Sequence, residues 1–448
     1  MRSFLLFLIF LLPFQFALNP QEGIDLSIVR ILIVLAFFIW LVYALLRKKI
    51  SIINNFISWA LVAFLGLALL SIINAENPNW AVRKLLVFVS IFPLYFLITQ
   101  YFKKEDFPKI SKVILTASTI TSLIGIFQFS SQFVWGPKAV FSVWAKYLAH
   151  FFLGANTSQA VISNPSWWVN LSGKTVLRAT AFFPDPHMLA FFLGISLPFF
   201  LPFLLNKKQA SSLSGPSGLS SLSGPYSLSS PSILIAFTAF MANIICLLLT
   251  FSRGGYLGLL AAGLWLLATS FAYLKKKQKL LIIVTSILLV MAILFITPIS
   301  NRLFSSFNLE EGSVAGRLSI WQDAWNTWRS HFWLGTGIGN YSYHLSPLNE
   351  YRAPINAHNT YLDIGVEMGI FALITWLAIF AYILYKLIKL LWLKVDNGKL
   401  KIESMVLVSS LIYFSVHAFF ETPIYSPQIL PLLMVILGLA SIIISDKS

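Results

Sequence analysis

Apolar runs of about 20 residues, each closed by a short polar segment, recur along almost the whole of this chain. A run of that length crosses the hydrocarbon of a bilayer as an α-helix, since every backbone polar group is then satisfied within the segment. In order, the runs fall at roughly 3–18, 27–46, 52–73, 85–102, 110–130, 182–205, 232–251, 255–274, 280–298, 360–393, 403–420 and 428–445. The expected fold class is all-α: a polytopic helical membrane protein of about twelve transmembrane helices. Of the 448 residues only 11% are charged, about half the share in an ordinary soluble domain.

A net charge of +16 raises the question of a nucleic-acid surface. Its distribution answers otherwise. With the N-terminus inside, RKK (47–49), KKEDFPKISK (103–112), NKK (206–208), KKKQK (275–279) and the basic cluster from Lys386 to Lys401 share the inner side. That side then holds 20 of the 32 Lys and Arg but only 5 of the 16 acidic residues. This is the positive-inside pattern. It puts both termini in the cytoplasm and leaves nucleic acid with nothing to explain. The opening MRSFLLFLIFLLPFQFALNP has Arg2 as a minimal signal-peptide n-region, yet Gln15-Phe16-Ala17-Leu18 gives no small-x-small cleavage site. An uncleaved first span is expected. The single cysteine, Cys246, lies in an apolar span and reads as a packing residue.

The expected organisation begins with N-terminal helices (1–130) and an extracytoplasmic loop (131–181) bearing Trp135, Trp144, Trp167 and Trp168. Central helices (182–298) follow, interrupted by a cytoplasmic linker (207–232). A second extracytoplasmic loop (299–357) then leads to C-terminal helices (358–448). The linker contains LSGPSG and LSGPYS, low-complexity near-repeats too rich in Ser, Gly and Pro to pack, and reads as disordered. In the second loop Leu318, Trp321, Trp325 and Trp328 recur at helical spacing, which predicts a short helix in the membrane interface capped by Ser313.

Ionisable groups within membrane helices are candidates for function. Under this topology they gather at the outer face: Asp185 and His187 open span six, Arg253 ends span seven, and Arg317 starts the interfacial helix. His358, Asp363 and Glu367 open span ten, and His417 and Glu421 close span eleven. A polar cavity opening outward between the helices is expected. Asp363 and Glu367 are four residues apart and share a helical face. Gly365 and Gly369 form a G-x-x-x-G pair that lets another element approach closely, most simply for packing. His358 reads equally as a capping or interfacial histidine and as a functional one. Arg253, among the small neighbours of Ser-Arg-Gly-Gly, and Arg317 suit bidentate phosphate binding or pairing with Asp363, Glu367 or Glu421. The glycines of GTGIGNYSYH (335–344) lack the strand of a dinucleotide loop and read as a tight turn toward His358. No D-x-D, H-E-x-x-H or C-x-x-C motif occurs, so nothing points to a metal or other cofactor.

Together these motifs resemble the O-antigen ligases and the related O-antigen polymerases over roughly residues 170–445. His358-Asn359 followed after nine residues by Gly369 is similar to their H-N-x9-G signature. F-x-P-D-P-H-x-L-A, Ser-Arg-Gly, G-R-x-x-x-W and G-x-G-x-G precede it in the same order; Ala372 departs from the usual continuation. The resemblance implies an inverting, metal-independent GT-C-type glycosyltransferase of the bacterial cytoplasmic membrane, its active site facing the periplasm or cell exterior. Its donor would be a glycan on undecaprenyl diphosphate and its acceptor most simply lipid A–core. His358 would be the catalytic histidine and Arg253 and Arg317 the diphosphate-binding arginines. Asp363, Glu367, Asn359, Glu421, Asp185 and His187 would support them, with Asp363 or Glu367 orienting His358. A polymerase joining lipid-linked repeats and a protein O-oligosaccharyltransferase use the same donor chemistry. A transporter is the reading from another class, but no internal repeat with matching broken helices is seen.

Overall fold

The computed structural model describes residues 1–21, 24–48, 54–163, 165–171, 173–204, 230–271, 312–351, 354–392 and 398–445. Among these, seven helices are long and apolar enough to cross a membrane: Ile28–Leu46, Phe56–Asn74, Pro78–Tyr101, Lys104–Trp135, Pro186–Leu204, Thr360–Trp392 and Gly398–His417. Arg2–Leu11, Leu234–Leu249 and Ile429–Ser445 are shorter apolar helices, and Arg253–Phe271 continues the series. The expected span at 280–298 and residues 207–229 of the expected linker (207–232) lie outside the described residues; its last three residues begin the helix Ser230–Leu249.

Three local departures have plain causes. The first expected span yields helix only over Arg2–Leu11; Pro13 follows, and the chain turns into a hairpin of Ala17–Gln21 and Ile24–Ser27. A second hairpin pairs Trp168–Leu171 with Lys174–Leu177, so the chain is not purely helical. Its turn is closed by Asn170 Oδ1, which accepts from the Gly173 amide at 2.9 Å. The tryptophan helix, Gly312–Ser330, begins before Ser313, which therefore lies inside the helix.

Polar contacts define the two ends of the bundle. At one, Asn55 and Tyr95 meet Ser441, and Arg2 donates to the Tyr101 carbonyl. At the other, Asn340 Oδ1 accepts from the Asn77 amide at 2.7 Å, Asn74 donates to the Gly335 carbonyl at 3.0 Å, and Asp25 holds Thr157. The second end carries the candidate site. Its floor is the buried packing of the 186–204, 398–417 and 429–445 helices, where Tyr413 donates to the Ala190 carbonyl at 2.7 Å.

Two glycines of the 360–392 helix shape this end. A Cβ on Gly365 would stand 2.9 Å from the indole of Trp328, which is how the 312–330 helix comes close enough to pack. Trp328 is buried there, while Trp325 and Leu318 remain exposed, so the tryptophan stripe is divided between the protein and its surroundings. Gly369 breaks the helix with φ +78° and lies against the Trp333 carbonyl. The 335–340 turn wedges beside it: the Thr336 amide donates to the Val366 carbonyl at 2.8 Å, and the Ile338 amide to Ser71 Oγ at 3.1 Å.

Candidate active site

Four elements deliver ionisable groups to one point at this end. Glu421, in the loop after the 398–417 helix, is the hub. One carboxylate oxygen accepts from Arg317 Nη2 at 2.8 Å; the other lies 2.9 Å from His358 Nδ1. His187 Nε2 approaches the first oxygen at 3.6 Å. Burial alone would push the Glu421 carboxyl up; His187, His358 and Arg317 outweigh it and hold it below the usual carboxylate range. In return the hydrogen bond to Glu421, and then its charge, raises the His358 imidazole above its ordinary value against burial and Arg317. His358 itself is 45% exposed in its side chain, whereas Glu421 is buried.

The backbone at His358 is held in an unusual conformation, φ +48°, which costs a non-glycine residue about 1–3 kcal/mol. Its neighbours supply the restraint. The Ala357 amide donates to Asp363 Oδ1 at 2.8 Å, and the Ala357 carbonyl accepts from Trp321 Nε1 at 2.9 Å. Thr360 donates through its amide to the Ala418 carbonyl and through its hydroxyl to the Glu421 carbonyl. Trp321 stands one turn after Arg317, so a single helix both contributes the arginine and fixes the histidine. Phe251, at φ +49°, is a second such residue and immediately precedes Ser252 and Arg253.

The structure separates the roles that the sequence left together. The carboxylate at the His358 ring is Glu421, not Asp363 or Glu367. Asp363 acts on His358 through the backbone and also accepts from the Thr422 hydroxyl. Glu367 accepts from the Tyr425 hydroxyl, with the Lys84 ammonium 4.0 Å from the centre of that tyrosine ring. Asn359 caps the 360–392 helix, accepting from the Tyr361 and Leu362 amides at 3.0 and 3.2 Å. Asp185 caps the 186–196 helix, accepting from the His187 and Met188 amides at 2.7 and 3.0 Å. Burial, and then the Glu421 charge, pushes its carboxyl up to about 6. Arg253 opens the 253–271 helix, and the next residue, Gly254, rests against the His417 ring.

Residues to which the sequence reading gave no role complete the site. Ser252 Oγ lies between His187 Nδ1 (3.0 Å) and His417 Nε2 (3.2 Å), and His417 stacks on Phe191 at 3.6 Å. Arg178 is buried, donates to the Thr250 and Ser166 carbonyls at 2.7 Å, and comes within 3.5 Å of His187 Nε2. A lone arginine in the apolar stretch TVLRATAFF (175–183) was the available signal for it. Among the described residues, no group of three or more His, Cys, Asp or Glu side chains is placed to hold a metal ion.

The fold and this cluster define a multi-pass helical membrane protein with histidine, glutamate and arginine side chains gathered at one end of its bundle. The family model described as O-Antigen ligase matches residues 238–377, a stretch that contains Arg253, Arg317 and His358. The teichuronic acid biosynthesis protein TuaE of Bacillus subtilis (strain 168) is 26% identical over 125 residues, 28% of this chain. The chain spans about a quarter of that relative's length, 25%. Both findings support the O-antigen ligase and polymerase superfamily for this chain.

Proposed function

We propose that the protein is a glycosyltransferase of the bacterial inner membrane, its centre facing the periplasm or cell exterior, which moves a glycan from undecaprenyl diphosphate to an acceptor hydroxyl. The observation that carries the reading is the His358–Glu421–Arg317 chain, at 2.9 and 2.8 Å. With Nδ1 donating to Glu421, Nε2 is the basic nitrogen and takes the proton of the attacking hydroxyl. The hydroxyl oxygen bonds to the anomeric carbon as the bond to diphosphate breaks, with inversion, and the electron pair leaves on the diphosphate. Glu421 offsets the charge of the imidazolium so formed. Arg317 uses one edge of its guanidinium on Glu421, and its remaining donors, with Arg253, bind the departing diphosphate without a metal.

Lipid A–core is the first acceptor to test. A second reading, polymerisation of lipid-linked repeats, draws on the relative's assignment to teichuronic acid biosynthesis. The test uses purified protein in EDTA with a fluorescent undecaprenyl-diphosphate glycan, with and without lipid A–core, beside His358→Ala. A His358-dependent shift of label onto lipid A–core establishes the ligase. A ladder growing without that acceptor establishes the polymerase. Full transfer by His358→Ala removes it as the base, and activity that needs added metal overturns the mechanism.

A further inference from the structure

A separate cleft of about 550 Å³ opens at the same end of the bundle. Gln15, Arg30, Arg83, Tyr351, Tyr425 and Gln428 line it, from five stretches of the chain. Its polar side chains are incompletely used. Gln15 Oε1, Ser27 Oγ and Gln428 Nε2 belong to lining residues no more than 5% exposed, and none of the three atoms has a hydrogen-bond partner among the described residues. Buried polar atoms of this kind are rare and each calls for a partner. The residues that carry them bring amide and hydroxyl side chains to the cleft wall, the chemistry that meets the hydroxyls of a sugar.

The cleft's charge is also uneven. Among the described residues Asp25 is its one acidic lining residue, and that carboxylate is already taken by Asn19, Asn156 and Thr157. Arg30 is steadied by Ser90 Oγ and the Leu86 carbonyl at 2.8 and 3.0 Å. Arg83 is exposed, its guanidinium 5.4 Å from the centre of the Tyr351 ring, and no hydrogen bond or ion pair engages it among the described residues. Two cations, one held in place and one beside an aromatic face, favour an anionic ligand over a neutral one.

We infer that this cleft binds an anionic saccharide, one whose sugar rings carry carboxylate or phosphate groups. It borders the site through two shared segments. Pro184 lines the cleft and precedes the Asp185 cap, and Tyr425 lines it four residues after Glu421. If the transfer reading above holds, the ligand is the acceptor glycan, seated so that one of its hydroxyls reaches His358.

The test measures binding rather than turnover, so that it stands apart from the transfer reading. Calorimetric titration of the full chain in nanodiscs uses tetragalacturonate for carboxylate, mannose 6-phosphate for phosphate, and maltotetraose as the neutral control. One or both anionic probes bind more tightly than maltotetraose, which names the recognised group. Arg83→Gln weakens that binding about tenfold or more, as loss of a charge-assisted bond implies, while Arg83→Lys restores part of it. Equal binding of charged and neutral probes, no binding of either, or indifference to Arg83→Gln in a variant that melts like the parent overturns the inference. Arg83-dependent binding in a protein that shows no His358-dependent transfer preserves the cleft and removes only its place in transfer.

Discussion

Glu421→Gln separates a positioned base from a histidine that merely lies nearby. The carboxylate accepts from Arg317 at 2.8 Å and holds His358 at 2.9 Å through different oxygens. An amide of the same shape has one acceptor oxygen and an NH2 group, so it can keep one of these bonds and must set a donor against the other partner. At least one charge-assisted hydrogen bond is lost, worth about 1.5–3 kcal/mol. If that bond is retained through the transition state, the plateau rate falls roughly 10- to 150-fold. The pH profile gives an independent readout. A base must be unprotonated, so activity rises as pH rises through the pKa of His358. The bond to Glu421 raises that pKa, which places the wild-type acid limb above the ordinary histidine value of about 6.5. In Glu421→Gln the largest raising influence is gone, and burial and Arg317 oppose the smaller one of Asp363, so the limb moves to lower pH while the plateau drops. Transfer rates from pH 5.5 to 9, with melting in detergent as a folding control, decide the matter. An acid limb that stays in place in a folded variant refutes Glu421 as the partner of the base.

Arg317→Lys replaces a fork by a point charge that cannot hold Glu421 and a diphosphate together; kcat/KM falls about tenfold or more, and wild-type kinetics would count against the phosphate contact. Trp321→Phe keeps an aromatic ring, smaller than the indole, but deletes the bond to the Ala357 carbonyl, removing about 1 kcal/mol of restraint at His358. It lowers kcat several-fold with little change in melting; an unaltered kcat dismisses the restraint. Gly369→Ala forces a Cβ to 2.0 Å from the Trp333 carbonyl oxygen at φ +78°, destabilising the fold by about 2 kcal/mol or more. A melting temperature equal to the parent's contradicts that packing.

Hydropathic periodicity carried the helical architecture. Runs of membrane length are readable because lipid imposes helix on each of them independently, and the seven long apolar helices fall where those runs lie. The ends of the runs were less legible. Pro13 stops the first helix early, and the hairpin at 17–27 depends on contacts such as Asp25 with Thr157, which no local pattern announces. The tryptophan stripe was visible as a helix, but its division between Trp328 inside and Trp325 outside depends on Gly365 of another element.

The site divides in the same way. Its residue types and their shared end were evident from the sequence, since an ionisable group at a helix mouth stands out against hydrocarbon wherever its partner is. Which carboxylate meets which cation was not. Asp363 and Glu367 are nearest His358 along the chain, yet helix geometry turns them toward Ala357 and Thr422, and toward Tyr425. Glu421, 63 residues away, takes the ring. Pairing depends on distances of a few ångströms between elements remote in sequence, and helix packing alone sets those distances.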